Sequence, residues 1–218
     1  MLPEIHGHRI EKERRMPPPT SPRLSRGVTV WLTGLPGAGK STVARAVASL
    51  AGENVEVEVL DGDELRRTIS SDLGFSRHDR DQQGRRVGYI AELLSRHRVL
   101  TLVPVIAPYA ETRTAVRTHH EQRDTSFLEI HVSTPVEECA RRDPKGLYAR
   151  AAAGEIKGMT GVDDVYEQPL DPDLRIDTSD LTIEEAATAV LDLLRTRDLL
   201  TVASAEETGV VERTALSG

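Results

Sequence analysis

Eight consecutive residues, Gly34-Leu35-Pro36-Gly37-Ala38-Gly39-Lys40-Ser41, have the composition of a cradle for phosphate. They match G-x-x-x-x-G-K-[ST] in full. Glycines let the backbone curl so that successive N–H groups point at phosphate oxygens. A helix that follows the loop adds the partial positive charge of its N-terminus. Lys40 is placed to reach the β- and γ-phosphates of a nucleoside triphosphate, and the Ser41 hydroxyl, with Thr42 beside it, to ligate Mg²⁺. Further on stands Asp61-Gly62-Asp63. A carboxylate beside such a cradle can hold Mg²⁺ or accept the proton of an attacking hydroxyl. The alternative for either aspartate is a helix N-cap, and one residue can do both.

These groups need a scaffold that brings strand ends together. Val28 to Leu32 is a short apolar, β-branched run that enters the glycine-rich turn, so it reads as a buried strand. A helix is expected over 41–50, a strand over 55–60 ending at the two aspartates, and a short helix over 64–69. After a loop at 70–75, a longer helix is expected over 79–97, with Val87, Ile90, Ala91 and Leu94 at helical spacing. Residues 99–106 are almost unbroken apolar, as in a central parallel strand covered on both faces; Pro104 marks a local break in it. A helix over 111–121, a strand over 127–132 and a helix over 135–142 follow. Residues 143–170 read as a mobile loop region, 174–176 as a fifth strand, and 182–194 as a last helix opened by a Thr182/Glu185 capping box. Strands alternating with helices imply a three-layer α/β fold with a five-stranded parallel sheet, whose ligands sit at the C-terminal ends of the strands.

The chain has 218 residues, enough for one such domain plus tails. Residues 1–26, rich in proline, arginine and glutamate, are expected to be a disordered leader, the alternative being a dimer-facing arm; the domain is expected over 27–197 and a polar tail over 198–218. A formal net charge of −7 speaks against a polynucleotide partner. No window resembles a membrane span, and the N-terminus lacks the apolar core of a secretory signal. With a single cysteine, Cys139, no intrachain disulfide is possible. These features are those of a cytoplasmic protein. Cys139 is expected to be a buried helix thiol, Trp31 a core residue, and His119 and His120 to lie on a solvated helix face.

The phosphate loop, then LDGDELRR, LGFSRHDRD, IAPY, RDPKGLYAR, GEIKGMTGVDDVYE and LRIDTS, follow one another as in adenylyl-sulfate kinases. The resemblance covers residues 27–195. It implies transfer of a phosphoryl group from MgATP to the 3′-hydroxyl of adenosine 5′-phosphosulfate (APS), giving 3′-phosphoadenosine 5′-phosphosulfate (PAPS). It also implies a homodimer and an ATP sulfurylase in the same pathway. ATP is then assigned to Gly34 through Thr42, with Arg141 or Arg142 against its adenine or phosphates and Arg141 as the candidate. Asp63 resembles the residue that orients the acceptor hydroxyl, and Lys145 one that serves the transferring phosphates. Arg66 and Arg80 resemble ligands of the phosphosulfate, which planar guanidinium forks suit. Phe75 resembles the ring that stacks on the acceptor adenine. Ile106, Pro108 and Tyr109 resemble a wall of the acceptor pocket, and Leu147 falls at the start of a lid over 143–168.

Three positions depart from the family pattern. Gln83 stands where asparagine is usual, followed by Gly84 where an aliphatic residue is usual. The glycine is expected to give the helix slack for the longer side chain. Ala107 stands where many members have serine, so no phosphoserine can form there. Met159 replaces a second stacking phenylalanine and can still pack on a ring through its sulfur. Gln83, Gly84 and Met159 keep open a related kinase for another nucleotide. A nucleotide-binding protein without turnover is a further reading, against which Lys40, Ser41, Asp61, Asp63 and Lys145 all argue.

Overall fold

The computed structural model describes residues 22–202. The leader expected over 1–26 lies outside them as far as residue 21, and the polar tail expected over 198–218 lies outside them from residue 203. The portions nearest the domain are structured. Strand β1 (Pro22–Leu24) pairs antiparallel with β7 (Leu200–Val202), which ties the two ends of the domain together.

A five-stranded parallel sheet in the order β3-β4-β2-β5-β6 forms the centre. Its strands are β2 (Val28–Thr33), β3 (Val57–Val59), β4 (Leu100–Pro104), β5 (Ser126–Val132) and β6 (Leu174–Ile176). β2 and β4, the two most apolar runs, lie side by side and are buried along their whole length. Alternate residues of β2 serve opposite faces. Val28, Val30 and Leu32 join a core with α1 (Lys40–Leu50) and α7 (Ile183–Thr196), while Trp31 packs with Val87, Val103, Val116 and Phe127 under α3 (Arg77–Arg96) and α4 (Ala110–Glu121). β4 ends at Pro104, short of the expected residue 106. Proline has no N–H to extend the ladder, and one further bond, Val105 N–H to Leu32 O at 3.0 Å, closes the strand.

Local chemistry sets the helix ends. α2 (Gly62–Arg67) starts from Asp61, whose Oδ1 accepts the Asp63 N–H at 3.0 Å. α3 starts two residues before the expected point because Ser76 and Asp79 form a capping box. α5 (Val136–Arg142) leads into the expected loop region, which contains a further short helix, α6 (Leu147–Ala152). The Asp143 carboxylate caps α6 by accepting from the N–H groups of Tyr148 and Ala149.

One assignment is corrected by packing. His120 is fully buried, not solvated. It accompanies Thr112, Arg113 and Val116 on the inward face of α4. Its Nδ1 lies 2.8 Å from Val116 O and its Nε2 2.9 Å from Thr29 Oγ1, so both ring nitrogens are satisfied inside the domain. Trp31 and Cys139 are buried as expected.

Candidate active site

The C-terminal ends of β2, β3 and β4 open into one cleft of roughly 660 Å³, within the range of small-molecule sites. The loop after β2 lies at one end. Gly39 stands just before α1 at φ 97°, a left-handed conformation that glycine takes without strain. Lys40 is buried, and its ammonium donates to Gly34 O at 2.9 Å and Leu35 O at 2.8 Å, holding the charge over the loop. Burial lowers its pKa to about 8; neighbouring Lys145 acts the same way, against the pull of Cys139, Asp63 and Asp61. Pro36, Gly37, Gly39, Lys40, Ser41 and Thr42 line the cleft. Ala38 is buried behind them, its carbonyl accepting from Thr134 and Thr178.

Asp61 caps α2 and also faces the phosphate loop. While one oxygen caps α2, Oδ2 accepts the Ser41 hydroxyl at 3.0 Å. Ser41 and Asp61 thus place two hard oxygen donors together beside the phosphate loop, a set suited to Mg²⁺ completed by phosphate oxygens and water. No group of three or more His, Cys, Asp or Glu side chains among the described residues could hold a metal by itself. Asp63, in the first turn of α2, points across the cleft and pairs with Lys145 from the α5–α6 loop. A carboxylate and a cation therefore meet in the cleft.

Beyond them lie Arg66, Phe75, Arg80, Gln83, Ile106, Ala107, Pro108 and Leu147. Phe75 is 68% exposed; it lines the cleft and does not belong to the core. Guanidinium carbons of Arg66 and Arg80 lie 4.7 and 5.7 Å from its ring centre. Arg66 spends one donor on Gly74 O, at 2.7 Å. Arg80 is more committed: it donates to Phe75 O, Thr160 Oγ1 and Gly158 O, and its Nε lies 3.6 Å from Asp164. It joins the Phe75 loop to residues 158–164 as well as facing the cleft. Gln83 is 6% exposed, and neither its amide oxygen nor its nitrogen has a protein partner. A buried amide left unpaired is unfavourable unless a ligand completes it, and this one lines the cleft.

Residues 26–177 match the family model described as Adenylylsulphate kinase. An adenylyl-sulfate kinase from Picosynechococcus is 49% identical over 170 residues, 78% of this chain and 94% of that protein. A bifunctional CysN/CysC enzyme from Mycobacterium tuberculosis is 49% identical over 173 residues, which is 28% of its length. The solved structure of the M. tuberculosis APS kinase CysC in complex with AMPPNP and APS superposes with a TM-score of 0.76 at 48% identity, covering 78% of this chain and 98% of that one. The chain belongs to the adenylyl-sulfate kinase family.

Two of the acceptor residues suggested by the adenylyl-sulfate kinase pattern stand back from the cleft. Tyr109 is buried beneath Arg77, whose guanidinium lies 4.2 Å from its ring, and donates to Asp164 at 3.2 Å. Met159 is buried too. On the nucleotide side, Arg141 forks onto Glu138 outside the cleft, whereas Arg142 lines it and donates to both the hydroxyl and the carbonyl of Thr178. Tyr148, which the motifs did not single out, lines the cleft as well, and its hydroxyl donates to Pro36 O at 3.0 Å. Gly84 gives no slack to an unbroken α3. A Cβ built there would overlap Thr112 Cγ2, and one at Gly88 would lie 2.7 Å from both Val116 methyls. The glycines are required by the close approach of α3 to α4.

Proposed function

We propose that this chain transfers the γ-phosphoryl group of ATP to the 3′-hydroxyl of APS, giving PAPS and ADP. The observation that carries this is a single cleft with a phosphate loop at one end and Phe75, Arg66 and the unpaired Gln83 amide at the other. Asp63 and Lys145 stand between the two ends.

Each group has a task that its place supports. Backbone N–H groups of the loop from Gly34 to Thr42, Pro36 having none to give, hold the triphosphate, with Lys40 stabilising charge that develops on its terminal phosphates. Ser41 and Asp61 would hold Mg²⁺, which when bound neutralises phosphate charge. Asp63 accepts a hydrogen bond from the 3′-hydroxyl and takes its proton as the new oxygen–phosphorus bond forms and the bond to the ADP oxygen breaks. Lys145 lies on the path of the transferred group. Arg66 and Arg80 take the phosphosulfate, Phe75 stacks on the acceptor adenine, and Gln83 completes its amide on the acceptor. Arg142, in preference to Arg141, flanks the bound ATP. Residues 143–168 act as the lid that excludes water.

A cytoplasmic, homodimeric enzyme working beside an ATP sulfurylase belongs to the same reading. Support comes from the lone buried Cys139 and from the larger bifunctional relative that contains a matching segment. No helix among the described residues is long and apolar enough to cross a membrane.

An ADP-release assay with a panel of acceptors tests the reading. Turnover is expected with APS. Turnover with another nucleotide but not APS would make the chain a kinase of different specificity, and no acceptor-dependent release would make it a binding protein. Asp63→Asn is expected to lower kcat far more than it weakens ATP binding. A raised ATP KM at unchanged kcat would instead place Asp63 at the metal.

A further inference from the structure

Ala107, in the acceptor wall, has φ 42°. A left-handed conformation disfavours a residue with a Cβ, and such strain persists only where surrounding contacts enforce it. Here both neighbouring carbonyls are pinned. Thr33 Oγ1 donates to Ile106 O at 2.5 Å, and the guanidinium of Arg113 donates to Ala107 O at 2.8 Å. Thr33 is the last residue of β2, directly before the phosphate loop. Its hydroxyl has one proton, spent on Ile106 O, so the 3.0 Å contact with Tyr166 must have the tyrosine as donor. The chain of bonds therefore runs from Tyr166 O–H to Thr33 O–H to the Ile106 carbonyl. Burial pushes the Tyr166 pKa up to about 12, which keeps the phenol protonated for this role.

Tyr166 arrives on a segment that is stitched along the same wall. The Glu167 N–H donates to Pro108 O at 2.8 Å, Arg113 donates to Glu167 O at 2.7 Å, and Ala110 N–H donates to the Glu167 carboxylate at 2.7 Å. Upstream, Gly161 sits so close to Leu35 of the phosphate loop that a Cβ would come within 2.5 Å of its Cδ2. Ile106 and Ala107 line the cleft; Thr33 and Tyr166 do not.

We propose that Thr33 and Tyr166 are positioning residues, a hydroxyl relay behind the cleft that holds the Ile106–Ala107 turn in its strained shape and so sets acceptor affinity. The proposal rests on the acceptor site assigned above. It predicts a split between the two substrates, because the relay ends on the acceptor wall and not on the phosphate N–H groups.

Tyr166→Phe, Thr33→Val, Thr33→Ser and the Tyr166→Phe/Thr33→Val pair are compared with wild type by kcat, KM for each substrate, and melting temperature. Loss of a net hydrogen bond predicts an APS KM raised about three- to tenfold in Tyr166→Phe. The rise is at least as large in Thr33→Val. KM for ATP stays within about twofold. The pair is no worse than Thr33→Val alone, since the second change removes a bond already lost. Thr33→Ser keeps the hydroxyl and restores the wild-type APS KM, which also covers a Thr33→Val protein that does not fold. Unchanged APS KM in Tyr166→Phe, effects that multiply in the pair, or a parallel rise in both KM values would each overturn the relay. Wild-type turnover of APS is read separately. If another nucleotide is the acceptor, the function proposed above fails, and the same split is then read with that nucleotide.

Discussion

Gly84→Ala is a test of why a glycine stands within the cleft-facing helix α3. In an exposed helix the change would be stabilising, by about 1 kcal/mol. Here the new methyl overlaps Thr112 Cγ2, far inside the ~3.5–4.0 Å of a carbon–carbon contact. Thr112 cannot turn its methyl away freely, because its hydroxyl donates to Asp81 at 2.8 Å. Forcing a methyl into a packed interface costs about 1–3 kcal/mol. The balance is a net loss of about 1 kcal/mol, or a melting temperature lower by about 2–4 °C for a domain of this size. Thr112→Ser alone removes the opposing methyl but keeps the hydroxyl, and should lose about 1 kcal/mol. Combined, the serine makes room for the alanine, and the helix gain is realised. The pair should melt at or above wild type, a coupling of about 2–3 kcal/mol between neighbours. Urea or thermal unfolding of the four proteins measures this. Because Arg80 and Gln83 ride on the same helix, Gly84→Ala should also raise the APS KM, and the pair should restore it. Gly84→Ala more stable than wild type by itself would refute the packing argument.

Three further outcomes are expected. Lys40 is charged below its lowered pKa of about 8 and neutral above it, so ADP affinity should fall about tenfold per pH unit above 8, while Lys40→Met binds weakly and without that slope; titration calorimetry across pH 7–10 on the order of one-unit steps reads both. Arg66→Ala should raise the APS KM about ten- to hundredfold and leave hydrogen exchange at 158–164 unchanged, whereas Arg80→Ala should raise both, because Arg80 also anchors that segment; equal exchange in the two variants would remove the anchoring role. Burial lowers the His120 pKa from 6.5 to about 4. The unfolded chain therefore binds the proton first, and stability falls as pH drops from 6.5 toward 4. His120→Gln should make that fall shallower across the whole window in a melting-temperature series, with His131, lowered to about 4 in the same direction, supplying the remainder.

What could be read without a structure was what neighbouring residues do together. The phosphate loop is contiguous, so its spacing alone specifies a strand, a turn and a helix N-terminus, and the structure has all three. The sheet was legible because β2 and β4 are predominantly apolar, although the strand expected to run past Pro104 to residue 106 stops at that proline. Asp61 was left between metal ligand and helix cap; one of its oxygens caps α2, and the other accepts the Ser41 hydroxyl beside the phosphate loop.

The misread positions depend on residues distant in the chain. His120 looks solvated because the residues around it are polar, yet Thr29, 91 positions earlier, gives its ring a buried partner. Gly84 was read as slack for Gln83, when it lies in an unbroken α3 and, besides lining the cleft, packs against Thr112 on the next helix. The same distance hides the acceptor wall. Ala107 carries no sign of its left-handed backbone, and the groups that enforce it are Thr33 from β2, Arg113 from α4 and, through Thr33, Tyr166 from the segment beyond α6. Motifs thus name residues that line the cleft, whereas side chains outside it, Thr33 and Tyr166, hold hydrogen bonds to its wall. In this chain the clearest such link runs from Tyr166 through the Thr33 hydroxyl, at the end of β2, to the Ile106 carbonyl, and it stops short of the phosphate loop's N–H groups.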